Sequence, residues 1–159
     1  MASDKGEQMR ERALRVIASC SDPAKLEQMI VNARRQGDDV VEEASRRRLY
    51  AVKPAAEPGT LEHDVWQSIY ALEDTLKSER DRTTLLSRTR QSIARKGEAD
   101  TVAGLVMKRI ASDGFHMLLE RKMPELTFEA VALRHPDRFD AAVLEAARAR
   151  LEGAGTEQG

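Results

Sequence analysis

The stretch LEHDVWQSIYALEDTLKSERDRTTLLSRTRQSIARK, residues 61–96, decides what kind of fold this chain adopts. Val65, Ile69, Leu72 and Leu76 recur at threes and fours, the spacing that aligns apolar groups on one face of an α-helix, and the series resumes at Leu86 and Ile93. The seam is weak at Glu79 and Thr83, where SERDRTT supplies polar capping residues. The pattern predicts either one long helix closing near Lys96-Gly97 or two helices with a break around residues 78–83.

Helical signals continue on both sides of this stretch. Downstream, Asp100 caps a helix expected to reach about Ala111, Ser112-Asp113-Gly114 turns the chain, and a short helix follows to Lys122. MPEL interrupts it, Thr127 caps another helix, and His135-Pro136 precedes a last one ending near Gly153. Upstream, KPAAEPGT at residues 53–60 cannot extend a helix and reads as a linker between two helical units.

Before that linker, residues 9–52 read as three short antiparallel helices. Met9, Ala13, Val16, Ile17 and Cys20 share one helical face; Asp22-Pro23 ends that helix and caps the next, which carries Leu26, Met29, Ile30 and Ala33 up to Gly37. The third turns Val40, Val41, Ala44 and Leu49 inward. Its hairpin with the second is tetratricopeptide-like, but no second copy occurs, which excludes a repeat solenoid. Residues 1–8 read as a flexible tail and 154–159 as a disordered one, leaving 61–153 as the C-terminal bundle.

Composition agrees with an all-α fold. Of 159 residues, 33% are charged and only 4% aromatic, a mixture that suits helices better than a sheet of β-branched and aromatic residues. The single cysteine, Cys20, excludes an intramolecular disulfide and a cysteine metal cluster, so it reads as a small core residue in a reducing, cytoplasmic setting. The opening MASDKGEQMRER has no apolar core for a secretion signal, and nowhere do eighteen apolar residues run together, so no membrane association is expected.

Catalytic signatures are sparse. His63, His116 and His135 fall in three separate segments without ligand-spaced histidine partners; His116 and Glu120, at i and i+4, read as a side-chain contact, and no metal or cofactor is expected. Glu62, His63 and Asp64 are about 100° apart around a helix and do not converge on one ion. Asp113 with Glu120-Arg121-Lys122 spells a D…ExK fragment, the acid, acid and lysine set of one class of metal-dependent nucleases, but Glu120 and Lys122 lie about 200° apart on a helix. No phosphate loop or nucleophile elbow is present. The catalytic residues, if any, are not legible, and a non-catalytic binding protein is the expectation.

Charge is the remaining signal. The net charge of −1 hides a basic block: RTTLLSRTRQSIARK, residues 82–96, holds four arginines, a lysine and five Ser/Thr hydroxyls with no acid. Arginine forks and hydroxyls suit phosphate oxygens, so Arg82, Arg88, Arg90, Arg95 and Lys96, with Arg46, Arg47 and Arg48, form the candidate DNA- or RNA-binding set. A competing explanation is that bases near helix ends and acids in first turns complement helix dipoles. On a wheel with Leu86 at zero, Arg82 and Arg90 fall at about −40° and +40°, beside the buried stripe, and so are expected to pair with acids of the chain or of a second copy; Arg88 and Arg95 point away. Trp66 and Tyr70, an i,i+4 pair, supply the alternative: a protein-binding or homodimer contact on the amphipathic stretch 61–96, giving an adaptor or regulatory protein.

Overall fold

The computed structural model describes residues 2–158, and every α-helix and 310 turn among them belongs to an all-helical architecture. The chain divides into two compact units, Met1–Pro54 and Ala55–Gly159. Among the described residues no helix is long and apolar enough to cross a membrane.

The first unit consists of α1 (Ala2–Ser19), α2 (Pro23–Gln36) and α3 (Asp39–Val52). Each turn carries its own chemistry. Asp22 accepts the Ala24 N–H at 3.0 Å ahead of Pro23, and Gly37 adopts the left-handed φ of 70° that closes α2. Asp38 then caps α3 by accepting the Val41 N–H at 3.2 Å. Ile17, Leu26, Ile30 and Leu49 form the core, with Leu14, Cys20, Met29, Val41, Ala44 and Val52 packed against it.

Two expectations about this unit are corrected. Met9 and Val16 are 73% and 49% exposed and Val40 48%; Leu14, Ile17 and Cys20 are the residues of α1 and its end that reach the core, and Leu14, not Met9, completes the face. Residues 2–8, expected as a loose tail, are helical; Ala2, Lys5, Glu7 and Gln8 are strong helix formers and Asp4 suits a first turn, and Met1 lies outside the described residues.

The second unit is built around α4 (Leu61–Arg80), surrounded by α5 (Ser87–Lys96), α6 (Glu98–Val106), α7 (Asp113–Glu120), α8 (Phe128–Arg134) and α9 (Ala141–Gln158), with 310 turns at Pro124–Leu126 and Pro136–Arg138. Thr60 caps α4 by accepting the His63 N–H at 3.1 Å. Leu61, Val65, Ile69, Leu72 and Leu76 are buried as the spacing predicts; Ser68, Ala71 and Thr75 are buried too, because α6, α7 and α8 cover more than one face. The two hydroxyls are satisfied within the helix, Ser68 by Asp64 O at 3.1 Å and Thr75 by Ala71 O at 2.9 Å. α7 approaches α4 closely at Gly114, where a Cβ would stand 3.2 Å from the end of Leu72.

Of the two readings of residues 61–96, the broken one holds. α4 ends at Asp81, which takes the left-handed conformation at φ 53°, and residues 82–86 carry the chain to α5 without regular structure. α6 stops at Val106, five residues short of the expected Ala111. Beyond Val106 the chain tightens through a Lys108 N–H to Leu105 carbonyl bond at 3.3 Å, and Arg150 of α9 donates to the Leu105 carbonyl at 3.5 Å and to the Lys108 carbonyl. α9 runs through Gly153 to Gln158, since glycine costs a helix about 1 kcal/mol but does not forbid it; residue 159 lies outside the described residues.

A set of ion pairs fastens the start of α4 to the end of α8. Arg138 forks onto Glu62 at 2.8 and 3.4 Å, His135 Nε2 lies 2.7 Å from Asp64, and Arg134 reaches the same carboxylate at 3.5 Å. The Arg138 hydrogen bond holds the Glu62 carboxyl below its ordinary range. Partial burial raises that of Asp64, but the His135 hydrogen bond and the Arg134 and His135 charges, taken together, bring it below the ordinary value. A depressed folded-state pKa contributes stability that is complete above the unfolded value, about pH 4, and is lost as pH falls through the folded one. Urea denaturation of Glu62→Gln/Asp64→Asn should therefore show lower stability at neutral pH and a shallower loss of stability between about pH 4.5 and 2. Curves that run parallel to the parent would show that these carboxylates do not act this way.

Candidate nucleic-acid interface

The basic stretch is sorted by helix geometry into committed and uncommitted cations. α5 buries Ile93, and Arg90, on that inner side, sends Nε and Nη2 to Glu73 of α4, both at 2.7 Å. Glu73 is 9% exposed and also accepts the Leu86 backbone N–H at 2.9 Å, so one carboxylate ties α4 to the entry of α5. That N–H has no side-chain cap of its own, because Leu86 occupies the capping position.

Above this pair, the Arg90 guanidinium lies 5.1 Å from the Trp66 ring centroid and 5.9 Å from that of Tyr70, within cation–π range. The two rings are 6.1 Å apart and tilted by 42°, and Trp66 Nε1 donates to Glu98 at 3.3 Å. Three residues assigned by sequence to two different surfaces, Arg90 to phosphate and Trp66 with Tyr70 to a partner, thus meet in one half-buried cluster. Glu73 was overlooked as its anchor, because Lys77 at i+4 is the nearer cation in sequence while Arg90 lies seventeen residues away.

Arg82, Arg88, Arg95 and Lys96 behave differently. All four are exposed, and none forms an ion pair or side-chain hydrogen bond among the described residues. Arg88 and Arg95 are seven residues apart on α5, hence within about 20° of each other around the axis and about 10 Å apart along it. Elsewhere in this unit Arg134, Arg138, Arg148 and Arg150 each hold an acid within 3.5 Å. Deep burial pushes the carboxyl of Glu129, the partner of Arg150, above its ordinary value.

Arg46, Arg47 and Arg48 serve the first unit. Arg46 and Arg47 pair with Glu42 and Glu43 one turn back, at 3.0 and 3.2 Å, and Arg48 Nε donates to the Cys20 carbonyl at 2.8 Å, joining α3 to the end of α1.

No clustered metal ligands accompany the basic stripe. Asp113 opens α7 and Glu120 closes it, about 10 Å along the axis, and among the described residues no three His, Cys, Asp or Glu side chains are grouped to hold a metal ion. His116 and Glu120 line a groove of about 300 Å³ between α7 and α9, floored by Phe115, Leu119 and Ala149 and edged by Arg150. No known protein family, curated protein or solved structure matches the chain.

Removing one partner of the Glu73–Arg90 pair leaves the other desolvated. Arg90 retains 32% side-chain exposure, so Glu73→Gln should cost about 2 to 4 kcal/mol, below the upper figures for a fully buried pair. Arg90→Met should cost at least as much, since it keeps apolar cover on Trp66 but leaves the more deeply buried Glu73 carboxylate without its cation. A double-mutant cycle by urea denaturation should give a coupling above about 1 kcal/mol; additive effects would show the pair to be incidental.

Proposed function

We propose that this chain is a non-catalytic nucleic-acid-binding protein that holds the phosphate backbone, of DNA in the first instance, with Arg82, Arg88, Arg95 and Lys96. The observation that carries the reading is the division of cations within one short segment. Arg90 is committed to Glu73, whereas these four extend into solvent with no acid to neutralise them. Arg88 and Arg95 on one stripe of α5 suit successive phosphates of a strand, and the exposed Ser87 and Gln91 beside them add donors. Arg90 and the Arg46–Arg48 triplet drop out of the contacting set, because their guanidiniums serve the protein itself. No base-reading motif accompanies these cations in the sequence, so the contacts are read as carrying no base sequence information.

Backbone contact by four cations releases counterions, so the logarithm of affinity should fall with the logarithm of salt with a slope of about −3 to −4. Arg88→Ala/Arg95→Ala should weaken binding at low salt by tenfold or more and flatten that slope by about 2, with the melting temperature unchanged. Tight binding indifferent to salt, or none at low salt, would refute the reading. The same titration with Mg²⁺ also tests for the strand cleavage that the D…ExK fragment would bring.

A second reading is self-association or docking of another protein, giving a homodimeric or adaptor role. Trp66 and Tyr70 support it less than their types suggest, since Arg90 lies across both rings. Met9 and Val16 support it more: seven residues apart on α1, they place 73% and 49% exposed apolar side chains on one stripe. Sedimentation equilibrium separates the two, because a dimer lost in Met9→Lys/Val16→Lys favours this second reading and a monomer at all concentrations removes its homodimer form.

A further inference from the structure

α6 and α7 are joined by Met107-Lys108-Arg109-Ile110-Ala111-Ser112, of which the first four are all exposed. Ile110 is 79% exposed, the highest value of any large apolar side chain among the described residues, and Met107 is 52% exposed. Between them stand Lys108 and Arg109, whose side chains form no ion pair or hydrogen bond among the described residues, and no acid occurs from residue 101 to 112. Hydrophobic tips with cations between them are an unfavourable arrangement in water and suit a surface that is apolar within and anionic at its edges.

This turn is held in place. Arg150 donates to the carbonyls of Leu105 and Lys108, and Glu129, 4% exposed, anchors Arg150 from behind at 3.2 Å. Backbone acceptors on either side of Met107 are thus fixed by one side chain from α9, so the apolar tips project from a braced support.

The turn also adjoins the basic end of α5. A Cβ placed on Gly104 would lie 3.4 Å from the Lys96 ammonium nitrogen, so Lys96 lies across α6 just before the turn. Gly104 precedes Met107 by three residues, about 5 Å along the helix. Lys96 therefore brings one further cation beside the helix that leads into the turn carrying Lys108, Arg109, Met107 and Ile110.

We infer that the 107–110 turn is a wedge that enters a base step of duplex DNA, with Lys108 and Arg109 on the flanking phosphates and Ile110, assisted by Met107, between the bases. The inference rests on the nucleic-acid reading and extends it from holding the backbone to deforming it. Charge complementarity argues for the occupant: at an opened step of a duplex the cations meet phosphates while the apolar tip meets base faces. Insertion of this kind unstacks the step and kinks the helix axis. Flexible pyrimidine–purine steps yield most readily, so a shape preference arises without base-edge contacts.

The test uses the full chain and a 30-base-pair duplex carrying a donor and acceptor dye at its ends and 2-aminopurine beside a central TA step. Saturating protein should raise both energy transfer and 2-aminopurine fluorescence, and Met107→Ala/Ile110→Ala should abolish both while changing affinity by less than about tenfold. The variant's thermal midpoint should match the parent's, because both side chains are exposed. Binding by the parent with neither signal, or both signals persisting in the variant, overturns the wedge and leaves backbone binding standing. No binding by the parent at low salt overturns the underlying reading and the wedge with it. Phosphatidylserine vesicles form the last arm: capture that depends on Ile110, with no duplex kink, assigns the turn to a lipid surface and overturns the inference.

Discussion

The second unit depends on one carboxylate. Glu73 is buried on α4, and its two oxygens are occupied by Arg90 at 2.7 Å and by the Leu86 N–H at 2.9 Å. A buried charge without such partners is expensive, and the backbone N–H at the start of α5 would otherwise lack a cap. The interaction fixes where the chain re-enters a helix after the break at Asp81, and it fixes the rotation of α5 about its axis. Arg90 inward means Arg88 and Arg95 outward, because 100° per residue leaves no other choice.

That constraint explains why a segment with seven cations and two acids, residues 77–97, does not behave as a uniform basic ribbon. One arginine stabilises the fold and covers Trp66 and Tyr70; others remain in solvent. Elsewhere in the unit several arginines serve architecture: Arg138 and Arg134 fasten the start of α4, and Arg150 holds carbonyls at the end of α6. Dipole complementarity accounts for the placement of Arg95 and Lys96 near the end of α5, yet it does not require the outward stripe that Arg88 shares with Arg95.

Local signals in the sequence translated directly. The threes and fours of Val65, Ile69, Leu72 and Leu76 identify the core face of α4, and Asp22, Asp38 and Thr127 cap their helices, whereas Asp100, expected as a cap, lies inside α6, which starts at Glu98 after Gly97. The wheel also anticipated that Arg90 pairs with an acid, though the same argument applied to Arg82 fails because Arg82 lies in the break, outside any helix. What escaped were effects of distant chain. Glu73 finds Arg90 seventeen residues on, Arg150 reaches the carbonyls at the end of α6 from more than forty residues away, and Met9 is left exposed while Leu14 joins the core. The candidate interface was legible as a composition and not as a surface, since Arg88 and Arg90 differ only in which neighbour each faces.

The central claim is that partnered and unpartnered arginines of α5 do different work, and Arg88→Ala and Arg90→Ala, each measured for both unfolding free energy and duplex affinity, test it most directly. Arg88→Ala should lower affinity and leave stability within about 0.5 kcal/mol of the parent, while Arg90→Ala should lower stability by about 2 kcal/mol or more and, under conditions where it remains folded, leave affinity nearly unchanged. If both substitutions move the same quantity, or if Arg88→Ala alters stability and not affinity, the division of labour described for α5 is wrong.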